Sequence, residues 1–136
     1  MEFITENENE TARVATEFAK RLKAGDVVAL YGTLGAGKTA FCRGFIQGLT
    51  HTQTDVPSPT FTLLQTYDTP LYPVYHFDMY RLKTPDEAYE IGIEDAFAEG
   101  VSLIEWPEKL GYLLPQNHIA VHIEILPDGK RKIIIK

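Results

Sequence analysis

The sequence predicts an α/β fold: a three-layer domain whose mixed sheet is parallel near a phosphate-loop motif and antiparallel at its margins. Three observations carry this. The stretch Gly32-Thr33-Leu34-Gly35-Ala36-Gly37-Lys38-Thr39 fits G-x-x-x-x-G-K-[ST]. It lies between an apolar run, residues 26–31, and a proline-free helical stretch, residues 38–49, the strand–loop–helix order that such a loop needs. Two further pairs of strand-like runs, 61–68 with 71–78 and 119–126 with 132–135, are each joined by turn residues, Thr69-Pro70 and Pro127-Asp128-Gly129-Lys130, and read as antiparallel pairs. Together these give a P-loop NTPase-like domain, and the length of 136 residues fits one such domain over residues 1–136.

Residues 8–23 read as an amphipathic helix, with Val14, Phe18 and Leu22 at i, i+4 spacing and an acidic start that suits the helix dipole. Gly25 is the expected left-handed terminator, and the first core strand follows at once. After the P-loop helix, residues 50–60 are polar and poor in helix formers, with Pro57 and Pro59 fixing their path. Thr84-Pro85-Asp86-Glu87 predicts a capped helix start, with proline at the first helical position and acids in the first turn. That helix extends to about Ile91, Gly92 breaks it, and a second short helix ends at Gly100. Val101-Ser102-Leu103-Ile104-Glu105 is the short apolar run expected of a buried parallel strand. Trp106-Pro107-Glu108-Lys109 opens a further short helix that ends before Pro115, and the rest is strand.

Composition narrows the function classes. The chain is 44% hydrophobic and 24% charged, as in ordinary globular proteins, and no apolar run reaches membrane-spanning length. A formal net charge of −6 argues against autonomous nucleic-acid binding, which needs clustered Lys and Arg. Lys130-Arg131-Lys132 reads instead as a protected strand edge. The first residues lack the basic and apolar regions of a secretory signal, and Cys42 is the single cysteine, so a cytoplasmic, reducing compartment is expected. Cys42 reads as a packed helix thiol, and the histidines show neither metal-ligand spacing nor a cluster with cysteine.

The glycines of the loop let successive backbone N–H groups turn toward an anion. A nucleotide's phosphates would lie in that nest, made by Gly32, Thr33, Leu34, Gly35, Ala36 and Gly37. Lys38 would reach the terminal phosphates and Thr39 would offer its hydroxyl to Mg²⁺, with Ala40 beside them at the helix N-terminus. Such a metal needs an acid at the carboxyl end of a neighbouring strand. Asp78 and Glu105 both close apolar runs and qualify as ligands and catalytic groups. In the loop Pro57-Ser58-Pro59-Thr60, the hydroxyls of Ser58 and Thr60 are candidates to approach the γ-phosphate or attacking water. His76, in an apolar strand, reads as a hydrogen-bonded structural residue rather than a proton carrier.

Four blocks in this order, the P-loop, Pro57-Ser58-Pro59-Thr60-Phe61, His76-Phe77-Asp78-Met79-Tyr80-Arg81-Leu82 and Glu105-Trp106-Pro107-Glu108-Lys109, resemble the bacterial TsaE family, also called YjeE. The resemblance implies a small ATPase of the tRNA threonylcarbamoyladenosine pathway, which modifies the adenosine next to the anticodon. It implies a TsaB–TsaD protein pair as partner, reset by ATP hydrolysis between turnovers, with tRNA reached only through that complex. By motif it implies Lys38 and Thr39 at phosphates and Mg²⁺, Glu105 at the metal, Asp78 at the metal or its water, residues 58–61 as a switch-like loop, and Trp106 near the nucleotide.

Other P-loop functions stay open on the residues alone. A small-molecule kinase needs an acceptor pocket and usually an arginine-bearing lid, and no stretch reads as one. A guanine-specific switch usually carries Asn-Lys-x-Asp, which is absent. A nucleotide-binding scaffold with negligible turnover would share every motif above.

Overall fold

The computed structural model describes residues 1–33, 35–51, 55–57 and 63–136. Seven strands form one sheet in the order β1-β7-β6-β2-β5-β4-β3. Its centre is parallel: β2 (Val27–Tyr31) lies between β5 (Val101–Glu105) and β6 (Ile119–Ile125), and β5 pairs in parallel with β4 (Val74–Asp78). The margins are antiparallel, with β3 (Leu64–Tyr67) on β4 at one side and β7 (Arg131–Ile135) on β6 at the other. The outermost strand, β1 (Glu2–Thr5), pairs with β7 and was not expected from the sequence. Only Phe3 and Ile4 are apolar there, too few to set a period of two, so the strand owes its form to the ladder with β7.

Two cores separate the layers. Above one face, α1 (Glu8–Ala19) and α2 (Lys38–Thr50) pack Ala15, Phe18, Phe41, Phe45 and Ile46 against Val28, Leu30, Val74, Leu103 and Val121. Beneath the other, α3 (Glu87–Glu90), α4 (Ile93–Glu99) and a 3-10 helix (Pro107–Leu113) pack Ala88, Ile93, Ala96 and Leu110 on Val27, Phe77 and Ile104. The alternation of adjacent residues such as Phe77 and Asp78, or Ile104 and Glu105, between faces follows from the pleat. It gives the α2 face a row ending in two acids.

Several boundaries differ from the sequence reading. α1 stops at Ala19 rather than residue 23 because the chain tightens there: Arg21 N–H donates to Phe18 O and Leu22 N–H to Ala19 O. Its C-cap, Lys20, is right-handed, and Gly25 serves a separate turn in which Lys23 N–H donates to the Asp26 carboxylate. α3 shrinks to one turn without a side-chain cap from Asp86. Glu87 instead reaches back to accept from Lys83 and Thr84 N–H, half of a capping box. The 71–78 strand begins only at Val74, since Thr69 Oγ1 accepts from Leu71 and Tyr72 N–H and holds that stretch as a turn. The start of the 61–68 strand falls partly outside the described residues. Among the described residues no helix is long and apolar enough to cross a membrane.

Candidate functional site

β2 delivers the chain into the glycine loop at the carboxyl edge of the parallel strands, and α2 starts directly after it. Gly35 at φ +81° and Gly37 at φ +111° hold conformations that residues with a Cβ resist. The loop is braced from inside and outside. Ala36 N–H donates to Thr33 O, and the side chain of Arg131 crosses from β7 to donate its Nε–H to Ala36 O at 2.9 Å. Ala36 itself is buried. Gly37 O accepts from Phe41 N–H, the first turn of α2. Leu34 lies outside the described residues.

Lys38 is buried beneath Trp106. Its ammonium donates to Gly32 O at 2.8 Å and lies 3.7 Å from the centroid of the Trp106 ring. Desolvation lowers the Lys38 pKa from its ordinary value, and the negative charges of Glu105, Glu108 and Asp78 oppose that shift. Trp106 takes a left-handed backbone (φ +57°) as the chain turns from β5 into the 3-10 helix, which brings its ring back over the lysine. Tyr80 packs against that ring at a tilt, with centroids 5.0 Å apart.

Asp78 and Glu105 are register partners on β4 and β5, so their Cα atoms lie side by side. Both are almost wholly buried. Thr39 Oγ1 donates to Glu105 at 3.1 Å from Oε1 and 3.2 Å from Oε2, and His76 Nε2 lies 2.6 Å from Glu105 Oε2. Asp78 Oδ1 accepts from Tyr80 N–H, which fixes its carboxylate at the strand end.

These groups open on one cleft of about 390 Å³, lined among others by Gly35, Gly37, Lys38, Thr39, Ala40, Asp78, Glu105 and Trp106. Glu8, Arg43 and Tyr80 complete its wall. A smaller cleft of about 180 Å³ shares Gly35, Gly37 and Ala40 and extends between the start of α1, at Asn7 and Thr11, and Gly129 with Arg131. Gly32 and Thr33 border a different depression, beside His122, and contribute to the main cleft only through the Gly32 carbonyl. Ser58 and Thr60 lie outside the described residues.

A buried lysine, a threonine hydroxyl and two strand-end acids in one cleft could hold a phosphate together with a hard divalent cation. The oxygens suit Mg²⁺, and the lysine suits the anion. Cys42, His76 and Glu105 also bring possible ligand atoms within 4.8 Å of one another, a cluster that sequence spacing did not reveal because it joins α2, β4 and β5. The Cys42 thiol is wholly buried, and desolvation, with the charges of Glu105 and Asp78, pushes its pKa well up, so it stays neutral. Arg131 was read as edge protection and His76 as structural; only the fold shows what each touches.

The sheet order and the loop define a P-loop-type α/β protein. A family model described as threonylcarbamoyl adenosine biosynthesis protein TsaE matches residues 5–133. A curated relative from Rickettsia bellii, a tRNA threonylcarbamoyladenosine biosynthesis protein TsaE, is 48% identical over 94% of this chain and 89% of its own. Namesakes from Bacillus subtilis and Treponema pallidum are 41% and 38% identical, over 95% and 99% of this chain and 80% and 99% of their own. A solved structure of Bacillus subtilis YdiB superposes with a TM-score of 0.82 at 35% identity, covering 98% of this chain and 82% of that one. The chain belongs to the TsaE family.

Proposed function

We propose that this chain is an ATP-binding, Mg²⁺-dependent ATPase that acts as an accessory subunit in threonylcarbamoyladenosine modification of tRNA. The observation that carries the reading is the convergence of Thr39, Asp78 and Glu105 beside Lys38 in one phosphate-sized cleft. Membership of a family named for that biosynthesis supplies the pathway.

In this reading the backbone N–H groups of Gly35, Gly37 and Lys38 cradle the phosphates, aided by the N-terminus of α2. Lys38 exchanges the neutral Gly32 carbonyl for phosphate oxygens, which are stronger acceptors. Thr39, Asp78 and Glu105 would hold Mg²⁺, which would neutralise charge on the phosphoanhydride. Glu105, which accepts from Thr39 Oγ1 and lies 2.6 Å from His76 Nε2, would orient the attacking water. Trp106 covers the lysine and excludes bulk water. The ribose and base extend toward the cleft between Asn7, Thr11 and Arg131. The product of the cycle is a conformational reset of a TsaB–TsaD pair in the cytoplasm, with tRNA held by that pair and not by this acidic chain.

The test is ATP hydrolysis with and without Mg²⁺, alone and with the TsaB–TsaD pair. Lys38→Ala should weaken ATP binding by about 10- to 100-fold, the worth of a charged hydrogen bond. Glu105→Ala should spare much of the binding and abolish hydrolysis and multiple-turnover tRNA modification. No binding of ATP or ADP at millimolar concentration refutes the reading. Intact pathway function in Glu105→Ala reduces the protein to a nucleotide-binding scaffold.

A further inference from the structure

His76 is wholly enclosed, yet it is not accounted for by packing. It lies on β4 two residues before Asp78 and faces the α2 side of the sheet with it. Its Nε2 lies 2.6 Å from Glu105 Oε2, while its Nδ1 is buried without a partner among the described residues. Burying an imidazole costs free energy that one hydrogen bond only partly offsets, and an apolar side chain of the same shape would fill the space at less cost. The one thing that His76 does and phenylalanine would not do is touch Glu105.

We propose that His76 is a positioning residue whose Nε2–H fixes Glu105 Oε2, so that the Glu105 carboxylate stays aimed with Thr39 into the phosphate cleft. An ionised carboxylate only accepts, and a neutral imidazole donates through one nitrogen alone. Donation through Nε2 leaves Nδ1 as a bare acceptor, a cheaper orphan in an apolar setting than an unpaired N–H. Glu105 is then gripped from two elements, by Thr39 at the start of α2 and by His76 on the neighbouring strand. The grip by Thr39 alone would be loose, because its hydroxyl is nearly equidistant from both carboxylate oxygens and permits rotation of the group. The bond from His76 selects one oxygen and removes that freedom. Supporting bonds of this kind to a metal-binding carboxylate typically matter by about 10- to 100-fold in activity.

A soft-metal site made by Cys42, His76 and Glu105 is the competing use of the same atoms. The lining of the main cleft includes Glu105 but neither Cys42 nor His76, and the two latter groups meet Glu105 from within the packed core.

The proposal rests on the ATPase reading, and the experiment separates the two. Histidine ¹⁵N NMR of the wild-type protein without nucleotide or metal should show His76 as the neutral Nε2–H tautomer. The Nδ1–H tautomer overturns the proposal whatever the activity. In ATP hydrolysis with the TsaB–TsaD pair, His76→Phe, which keeps shape and loses the donor, should lower kcat about 10- to 100-fold with KM for ATP unchanged. His76→Gln, whose amide N–H can take the place of Nε2–H, should recover most of that loss. Thermal melting establishes that each variant is folded. A folded His76→Phe with wild-type kcat, or a folded His76→Gln no better than His76→Phe, overturns the proposal. Stoichiometric Zn²⁺ uptake that Cys42→Ser and His76→Gln both abolish assigns the trio to a metal and overturns it too. A wild-type protein that hydrolyses no ATP with its partners refutes the ATPase reading instead, and the tautomer still decides the role of His76.

Discussion

Gly44 lies in the middle of α2 where helix propensity alone favours alanine, so Gly44→Ala pits local preference against packing. Replacing glycine by alanine in a helix interior gains up to about 1 kcal/mol. Here a Cβ would stand 2.5 Å from Ala12 Cα and 2.8 Å from Ala12 Cβ on α1. The first of these is backbone, so no rotamer change relieves it, and α1 must move away from α2. Overpacking of this sort costs about 1–3 kcal/mol, and with a backbone obstacle the upper end applies. The net expectation is destabilisation by about 2 kcal/mol. With a urea slope of about 2 kcal/mol/M, the unfolding midpoint should fall by about 1 M at unchanged slope. α1 and α2 also wall the candidate cleft through Glu8 and residues 37–40, so on the proposed function ATP binding should weaken in the same variant. Gly48→Ala is the partner experiment, since its Cβ would stand 2.1 Å from Thr16 Oγ1, which already donates to Ala12 O and Gly44 O. A Gly44→Ala protein more stable than wild type would refute the close approach of the two helices.

Two further outcomes follow from the site. Trp106 is the single tryptophan, so its emission reports on Lys38 directly: Mg²⁺-ATP should change it saturably, Lys38→Ala should alter the starting spectrum, and no response to nucleotide would remove Trp106 from the binding site. The buried, neutral Cys42 thiol should react with a thiol reagent at least about 100-fold more slowly in the native protein than in urea, as measured by absorbance, and rapid native labelling would refute its burial.

The parts of the fold that could be read from sequence are those with strong local chemistry. The glycine loop, the strand β5 and the acids that end β4 and β5 each announce themselves by residue type and position. Asp78 and Glu105 were expected as separate strand ends, and the parallel register makes them neighbours. β1 was illegible because its form comes from β7, far along the chain: Thr5 pairs with Arg131, 126 positions later by their numbers. The same holds for Arg131 at Ala36, separated by 95 residues. No local pattern announces a contact whose partner lies across the sheet. His76 shows the opposite failure: its apolar surroundings were legible, and they concealed its hydrogen bond with Glu105.

The site also has a consistent electrostatic logic. Three carboxylates, Asp78, Glu105 and Glu108, act on Lys38 in the direction that keeps it charged, while its burial acts against that. Left alone, such a cluster would hold excess negative charge around one cation, and the lysine is further occupied by Gly32 O and the Trp106 face. A triphosphate by itself would add to that negative excess, so binding the anion without a cation is opposed by Asp78 and Glu105. On the proposed function, Mg²⁺ and ATP would enter the cleft as a pair, each reducing the repulsion that the other would meet. In that reading the acids that would make the loop unfavourable for bare phosphate would favour the metal-bound form, and Lys38 would leave Gly32 O only when both arrive.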